Sequence, residues 1–337
     1  MKSFEWVNPS SIAEAVRLLN SSSLGKDIDE APRPIAGGQD LLTTMKDYTT
    51  RPTRVVNLKS IRGMDRITID GKGGLTIGAL VTLNQVEEHP GILKNFPGLA
   101  EAAHSVATPQ IRNLGTIGGN LCQRPRCWYF RLEEVVCLKK GGSQCYAATG
   151  ENKYHAIFGG GPSFIVHPSD LAPMLVALGA RVAVTGSSGK QIIPLDKFFT
   201  LPAEGDVRRE NVLKNDDIIT EIQVPPSPFA TRSTYLKFKE RESLDFALSS
   251  VATAVQLQPN KVVKDARIVL GGVAPIPWRV PHAEKFLIGK ALTRDVLAQA
   301  AKVAMRDAQP LEKNAYKVPL TETLVRRALA KAAGVVV

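Results

Sequence analysis

The chain has 337 residues, of which 44% are hydrophobic and 22% charged, values typical of a folded soluble protein. This composition excludes a disordered or fibrous chain, and the length is sufficient for two or three domains. No apolar run approaches the roughly 20 residues that a membrane-spanning helix needs, so we expect no membrane span. The first residues lack the apolar stretch of a signal peptide, which favours the cytoplasm, or the periplasm through export with a signal-bearing partner subunit.

The net charge is strongly positive, because 43 Lys and Arg residues outnumber 32 Asp and Glu residues to give +11. Such an excess suits nucleic acid, an anionic cofactor or an acidic protein surface. The basic residues are scattered and only 6% of residues are aromatic, so the chain lacks the basic stripe with stacking rings that is typical of single-strand binding. We therefore expect no nucleic-acid partner.

The first 90 residues alternate between helical and strand patterns. Ser11 and Glu14 have the spacing of a helix capping box. An apolar helical face follows at Ile12, Val16 and Leu19. The next predicted elements are strands at 35–36, 55–58 and 75–80 and a helix from Thr82. This alternation predicts an α/β architecture.

From Ala180 the pattern changes to strands joined by short turns. Residues 181–194 read as two strands around a Gly/Ser turn, and a third strand ends at a proline cluster that begins with Pro225. Further strand patterns and then two helical runs follow these prolines. The prolines are the best candidate boundary, which gives domains at 1–224 and 229–337.

Two glycine-rich segments are candidates for binding phosphate. In IAGGQDL, at 35–41, a glycine pair lies between an apolar strand and a helix. Glycine lets backbone N–H groups approach a phosphate, although the same pattern also forms ordinary tight turns. In NLGTIGGN, at 113–120, Thr116 and Asn120 add hydrogen-bonding side chains to the glycines. The alternative for this second segment is a glycine-rich strand with a bulge.

The segment HPSDLAP, at 167–173, precedes an apolar helical run. Either Ser169 or Asp170 is suited to cap that helix. Alternatively, the Asp170 carboxylate is suited to accept a hydrogen bond from a ribose hydroxyl. The sequence leaves both roles of Asp170 open.

Four cysteines are confined to one short part of the chain: Cys122, Cys127, Cys137 and Cys145. Disulfides are disfavoured in a reducing cytoplasm, so clustered thiols indicate a metal site. The spacing lacks the paired CxxC motifs of most zinc sites and favours an iron–sulfur cluster, with zinc or uninvolved thiols as alternatives. His155 and His167 are expected to make ordinary polar contacts rather than to bind iron.

Together these motifs resemble one known family. PIAGGQDLL, ATPQIRNLGTIGGNL and HPSDLAP occur in the order typical of the FAD-binding subunit of the molybdenum hydroxylases, which include xanthine dehydrogenase, carbon monoxide dehydrogenase and bacterial aldehyde oxidoreductases. The likeness extends through almost the whole chain, and TIGGN after IRN is its most specific part. The resemblance implies an FAD-binding domain of two α/β subdomains, followed by a smaller domain of antiparallel strands and helices.

The resemblance also implies roles for individual residues. The pyrophosphate-binding loop would consist of Ile35, Ala36, Gly37, Gly38, Gln39, Asp40 and Leu41. The phosphates and ribitol of FAD would contact Thr116, Gly118, Gly119 and Asn120. Asp170 would bind the adenosine ribose. Lys237 would lie near the flavin ring, where a cation stabilises reduced, anionic flavin, although a solvated strand lysine is the alternative.

One part of the chain departs from most members of this family. The stretch between Asn120 and Ser169 is much longer than usual, and it is similar to the insertion in flavoprotein subunits of periplasmic-type aldehyde oxidoreductases. That similarity implies a [4Fe–4S] cluster in a loop at about 121–164. Phe164 stands where such relatives tend to have a cysteine. The implied ligands are therefore the four cysteines of this chain, with Cys122 as the fourth.

The implied protein is an electron-transfer subunit of a heterotrimeric oxidoreductase of the aldehyde type. A large subunit would carry the molybdenum cofactor and a small subunit would carry [2Fe–2S] clusters. This chain would collect the electrons on FAD and pass them to an external acceptor. Two alternatives remain, namely a self-contained FAD-dependent oxidoreductase and a zinc-stabilised binding scaffold without a redox role.

Overall fold

The computed structural model describes residues 1–20, 29–242 and 244–335. The N-terminal part of the chain forms a small parallel sheet. Its elements are β1 (Glu5–Val7), α1 (Ile12–Leu19), β2 (Arg33–Ile35), α2 (Leu41–Lys46) and β3 (Arg54–Asn57). The strands are parallel and lie in the order β1–β3–β2. The Ser11 hydroxyl accepts a hydrogen bond from the Glu14 N–H at 3.2 Å, which confirms the predicted start of α1. Ala15 and Leu19 of this helix are fully buried.

The second sheet has five antiparallel strands. They are β4 (Ile67–Ile69), β5 (Leu75–Gly78), β6 (Arg181–Gly186), β7 (Gly189–Pro194) and β8 (Ile218–Val224). The order is β4–β5–β8–β6–β7, so strands far apart in sequence are neighbours. Ile77 on β5 and its partner Ile222 on β8 are fully buried in the largest hydrophobic core.

Short helices fill the chain that separates β5 from β6. They are α3 (Leu83–Glu88), α4 (Pro90–Asn95), α5 (Pro97–His104), α6 (Pro109–Leu114), α7 (Ile117–Leu121), α8 (Trp128–Arg131) and α9 (Leu171–Ala177). Thr82 caps α3 in a complete capping box, as predicted. The alternative of a glycine-rich strand at 113–120 is wrong, because α6 and α7 occupy these residues. Thr116 caps α7 by accepting the Gly119 N–H at 3.3 Å.

The C-terminal part of the chain is a four-stranded antiparallel sheet covered by helices. Its elements are β9 (Ser233–Phe238), β10 (Ser249–Leu257), β11 (Val263–Gly271), β12 (Trp278–Arg279), α10 (Pro281–Leu287), α11 (Arg294–Met305) and α12 (Lys317–Ala333). The strand order is β12–β11–β10–β9. Apolar residues of this sheet and of the three helices form a second large core. Across the described part of the chain, no helix is both long and apolar enough to cross a membrane.

Residues 121–164, here called the inserted segment, are largely irregular apart from α8 and short helical turns. A buried ion-pair network fastens this segment to Glu210. The Glu210 carboxylate lies 3.0 Å from Arg124 Nε and 2.8 Å from Lys139 Nζ. Burial alone would raise the pKa of Glu210, but the two cations outweigh burial and lower the pKa below its ordinary value. Glu210 is therefore a carboxylate in the folded protein.

Neutralising Glu210 should loosen the inserted segment. Because its pKa is lower in the folded state than in the unfolded state, its stabilising effect is present at neutral pH and is lost as the pH falls through the folded pKa. We expect Glu210→Gln to lower the free energy of unfolding by about 3 kcal/mol at neutral pH. The variant should also lose less stability than the parent during acidification, as measured by urea denaturation at several pH values. Glu204→Gln, at an exposed position, is the control; equal acid sensitivity of parent and Glu210→Gln would contradict this account.

Candidate cofactor site

The two glycine-rich segments predicted to bind phosphate lie in direct contact. The first leads from β2 into α2, and the second links α6 to α7. A Cβ atom on Gly37 would lie 2.2 Å from the carbonyl oxygen of Leu114, which is far inside van der Waals contact. Gly38 has a φ of +72°, in the left-handed region that glycine adopts without strain. The close approach of the two segments therefore requires the glycine pair.

The chemistry of these loops fits an anionic, phosphate-containing ligand. Within the described residues, the N–H groups of Gly38 and Gln39 donate to no protein acceptor. A Cβ atom on Gly119 would meet only the Thr116 hydroxyl within 4 Å, so the other side of this glycine is open. Free N–H donors beside an open glycine surface are the features with which backbone loops bind phosphate.

Gly118 and Asn120 are held by other parts of the protein. The Gly118 N–H donates to the carbonyl of Ala79 at 3.0 Å. Asn120 is buried, and its Oδ1 accepts a hydrogen bond from the Ser169 hydroxyl at 2.5 Å. The Ser169 oxygen also accepts the Ala172 N–H at 3.0 Å, so Ser169 rather than Asp170 caps α9. These bonds fix the position of α7 relative to α9.

The Asp40 carboxylate is directed toward the inserted segment. It accepts the Arg124 N–H at 2.6 Å, lies 2.8 Å from Arg131 Nη2, and also pairs with Arg126. Burial would raise the pKa of Asp40, but the two guanidinium groups and the N–H group lower it below its ordinary value. Only the backbone of Asp40 is therefore available to bind a phosphate. The negative charge of the Asp40 side chain is neutralised by groups of the protein itself.

Asp170 belongs to a buried cluster that includes a residue missed by sequence reasoning, Tyr235. The Asp170 carboxylate lies 2.7 Å from Lys237 Nζ and accepts the Tyr235 hydroxyl at 2.7 Å. The side chains of Lys237 and Asp170 are only 4% and 6% exposed, so Lys237 is not a solvated strand lysine. Burial and the neighbouring Asp170 raise the pKa of Tyr235 well above its ordinary value, which keeps the hydroxyl a donor. The sequence contains a signal for Tyr235. Side chains two positions apart on a strand lie on the same face, so residue 235 shares one face of β9 with Lys237.

A cleft of about 320 Å³ adjoins this cluster. Residues 126–128 of the inserted segment form one wall, residues 166–170 form another, and the C-terminal domain contributes residues 245–248. The Arg126 guanidinium lies 5.0 Å above the ring of Phe246, where a cation–π contact joins the two domains. The cleft therefore combines apolar wall residues with polar and charged ones, among them His155, Asp170 and Glu240, as is typical of sites for organic ligands.

The structure groups three of the four cysteines. Burial, with smaller contributions from the nearby thiols of Cys137 and Cys145, raises the pKa of Cys127 to about 11. Cys122 instead packs against the core of the first domain, and burial and the Glu210 carboxylate raise its pKa to about 12. Among the described residues, no three His, Cys, Asp or Glu side chains converge in a geometry that could hold a metal ion.

Comparisons with known proteins agree with this fold and site. Residues 2–227 match the family model described as "FAD binding domain in molybdopterin dehydrogenase". Residues 233–332 match the model described as "CO dehydrogenase flavoprotein C-terminal domain". Among solved structures, carbon monoxide dehydrogenase from Hydrogenophaga pseudoflava, lacking the Mo-pyranopterin moiety of its cofactor, contains a chain that is 28% identical with a TM-score of 0.75. The match covers 99% of this chain and 98% of that chain.

Curated relatives give the same assignment. The aldehyde oxidoreductase FAD-binding subunit PaoB of Escherichia coli K12 is 34% identical over 88% of this chain and 90% of its own length. The carbon monoxide dehydrogenase medium chain of Hydrogenophaga pseudoflava is 29% identical over 97% of this chain and 96% of its own length. These matches confirm the predicted fold class, FAD binding and oxidoreductase function. The chain belongs to the family of FAD-binding, electron-transferring subunits of the molybdenum hydroxylases.

Proposed function

We propose that this chain is the flavoprotein subunit of a molybdenum hydroxylase that oxidises aldehydes. The observation that carries the proposal is the contact between Gly37 and Leu114, which joins two loops with phosphate-binding features. The second loop is bonded through Asn120 to Ser169, which lines the cleft. The relative PaoB, an aldehyde oxidoreductase subunit, supports the substrate class. A large subunit with the molybdenum cofactor and a small subunit with [2Fe–2S] clusters would complete the complex.

In this proposal, different residues around the glycine loops bind different parts of FAD. The loop 35–41 takes the pyrophosphate through its backbone N–H groups. Thr116, Gly119 and the side-chain amide of Asn120 take the phosphate and ribitol region, while Gly118 packs behind them. The cleft between the domains holds the flavin ring near Lys237. Asp170 pairs with that lysine at 2.7 Å, which favours a place at the flavin end over the role at the adenosine ribose that the resemblance implied. Bound FAD would supply the ability to accept single electrons and release a pair.

Adding a side chain at Gly37 should separate the two loops and weaken FAD binding. Because a Cβ atom there would meet Leu114 backbone at 2.2 Å, the loops must move apart. We expect Gly37→Ala to weaken FAD binding by about tenfold or more, which corresponds to ~1.4 kcal/mol. Equilibrium titration of the apoprotein with FAD measures the change. Gly205→Ala is the matched control, because a Cβ atom on Gly205 meets nothing within 4 Å. Unchanged affinity in Gly37→Ala would refute the assigned pyrophosphate loop.

The assembled complex should transfer electrons from an aldehyde to the flavin of this chain. Under anaerobic conditions, an aldehyde should bleach the flavin absorbance of the complex but not that of the isolated FAD-loaded chain, because substrate oxidation takes place on the large subunit. A complex assembled with the Gly37→Ala chain and depleted of FAD serves as the control. Bleaching of the isolated chain by aldehyde would favour a self-contained oxidoreductase instead.

We also propose that the inserted segment holds a [4Fe–4S] cluster. Three grouped thiols, those of Cys127, Cys137 and Cys145, support this proposal, because thiolates are the usual ligands of such clusters. A buried lysine next to the segment adds support. Lys317 is fully buried, forms no ion pair with any described residue, and donates to the carbonyls of Tyr154 and Gly272 at 2.9 and 2.8 Å. Burial lowers the pKa of Lys317 to about 7, so its charged form would be stabilised by an anionic group nearby.

Removing one thiol of the group should remove iron from the complex. We expect Cys137→Ser to lower iron and acid-labile sulfide by about four atoms each per complex, since a [4Fe–4S] cluster requires its thiolate ligands. Elemental analysis of the purified complex provides the measurement. Val136→Ala, an exposed neighbour at 59% exposure, is the control. Equal iron and sulfide in parent and Cys137→Ser would exclude a cluster in this segment.

A further inference from the structure

Strand β9 is the edge strand of the C-terminal sheet and packs against α5 of the first domain. The Glu101 carboxylate of α5 accepts the Tyr235 N–H at 2.8 Å. The carbonyl of Ser105, at the end of α5, accepts a hydrogen bond from Lys237 Nζ at 3.0 Å. Backbone and side-chain bonds therefore fix Tyr235 and Lys237 relative to the first domain.

Two side chains of β9 donate hydrogen bonds to the same carboxylate. The Tyr235 hydroxyl donates to Oδ1 of Asp170, and Lys237 Nζ donates to Oδ2, each over 2.7 Å. Tyr235 is only 3% exposed, so solvent does not compete for its hydroxyl. Because each carboxylate oxygen has its own donor, and the two donors lie on one strand face, the Asp170 side chain is held in one orientation.

Of these three residues, Asp170 is the one that lines the cleft. A carboxylate beside the flavin ring would repel the negative charge of reduced, anionic flavin. Lys237 offsets the charge of Asp170, and the Tyr235 hydroxyl withdraws part of the negative charge that remains on Oδ1. All three side chains are buried, so solvent screens these effects only weakly. The two donors of β9 therefore decide how much negative charge a ligand in the cleft meets.

We infer that Tyr235 is a positioning residue of the flavin site, which acts through Asp170 and favours the reduced form of bound FAD. Its hydroxyl holds the carboxylate against Lys237 and limits the negative charge that faces the cleft. The inference rests on the proposed binding of FAD in that cleft. A tyrosine that stabilised only the fold would affect the binding of oxidised and reduced FAD equally. A tyrosine that acts on charge affects the two forms unequally and so changes the flavin potential.

The inference is tested by the midpoint potential of the flavin in the purified complex, with the parent chain and with Tyr235→Phe. This variant removes the hydroxyl and keeps the ring that packs in the core. At a fixed applied potential, we expect the ratio of reduced to oxidised flavin to fall by about tenfold. This change corresponds to ~30 mV for a two-electron couple. Because the loss falls on the reduced form, the Kd of oxidised FAD should change much less than the Kd of reduced FAD.

Two further variants separate this role from a general effect of losing a tyrosine hydroxyl. Tyr316→Phe is the matched control, because the Tyr316 hydroxyl donates to the Lys153 carbonyl at 3.0 Å, away from Asp170. We expect it to leave the flavin potential unchanged. Asp170→Asn, alone and combined with Tyr235→Phe, tests the route of the effect. Once the carboxylate has been replaced, removal of the Tyr235 hydroxyl should shift the potential far less than in the parent.

Other results separate the inference from the proposal on which it rests. If Tyr235→Phe binds FAD and its flavin potential equals or exceeds that of the parent, FAD binding stands and the role of Tyr235 is wrong. If the full shift persists in the Asp170→Asn background, Tyr235 does not act through Asp170 and the inference also fails. If the parent complex contains no FAD on this chain, the proposed function and the inference fail together.

Discussion

The contact between the backbones of Gly37 and Leu114 is the constraint on which the arrangement of the whole site depends. It joins the end of the parallel sheet to the helices that pack on the antiparallel sheet. Asn120 lies on the neighbouring helix α7 and accepts a hydrogen bond from Ser169 at the start of α9. The next residue, Asp170, is bonded to β9 of the C-terminal domain. The glycine pair is therefore connected, through packed backbone and buried hydrogen bonds, to elements of all three sheets.

Charge pairing links the two proposed cofactor sites. A carboxylate within a phosphate-binding loop would repel the ligand, and Asp40 avoids this because Arg126 and Arg131 neutralise it. Both arginines belong to the inserted segment, which also carries the grouped thiols. The same segment is also held by Glu210, through Arg124 and Lys139. Part of the positive excess of the chain thus holds the inserted segment in place beside the loop of Asp40.

Local patterns predicted much of this molecule, and contacts between distant residues account for what they missed. The Ser11 cap of α1 and the helix from Thr82 depend on neighbours within one helical turn, so the sequence was sufficient. The five-stranded sheet pairs β5 with β8, and no local pattern specifies such a pairing. Likewise, the direction of the Asp40 carboxylate depends on arginines more than 80 positions away. The packing of Cys122 against the core also involves residues far along the chain, which cysteine spacing alone does not reveal.

The buried partner of Lys237 changes the electrostatic argument for the flavin. An isolated cation beside the ring would stabilise the reduced, anionic form through its full charge. Here the Asp170 carboxylate lies 2.7 Å from the ammonium group of Lys237. At points much farther away than this separation, the fields of the two charges largely cancel. What remains is a dipole, whose effect falls off faster with distance than that of a charge and depends on its orientation. Because Tyr235 donates to the same carboxylate, it fixes that orientation and lowers the charge density on Asp170. In the proposed site, the flavin potential is therefore governed by the geometry of all three side chains rather than by Lys237 alone.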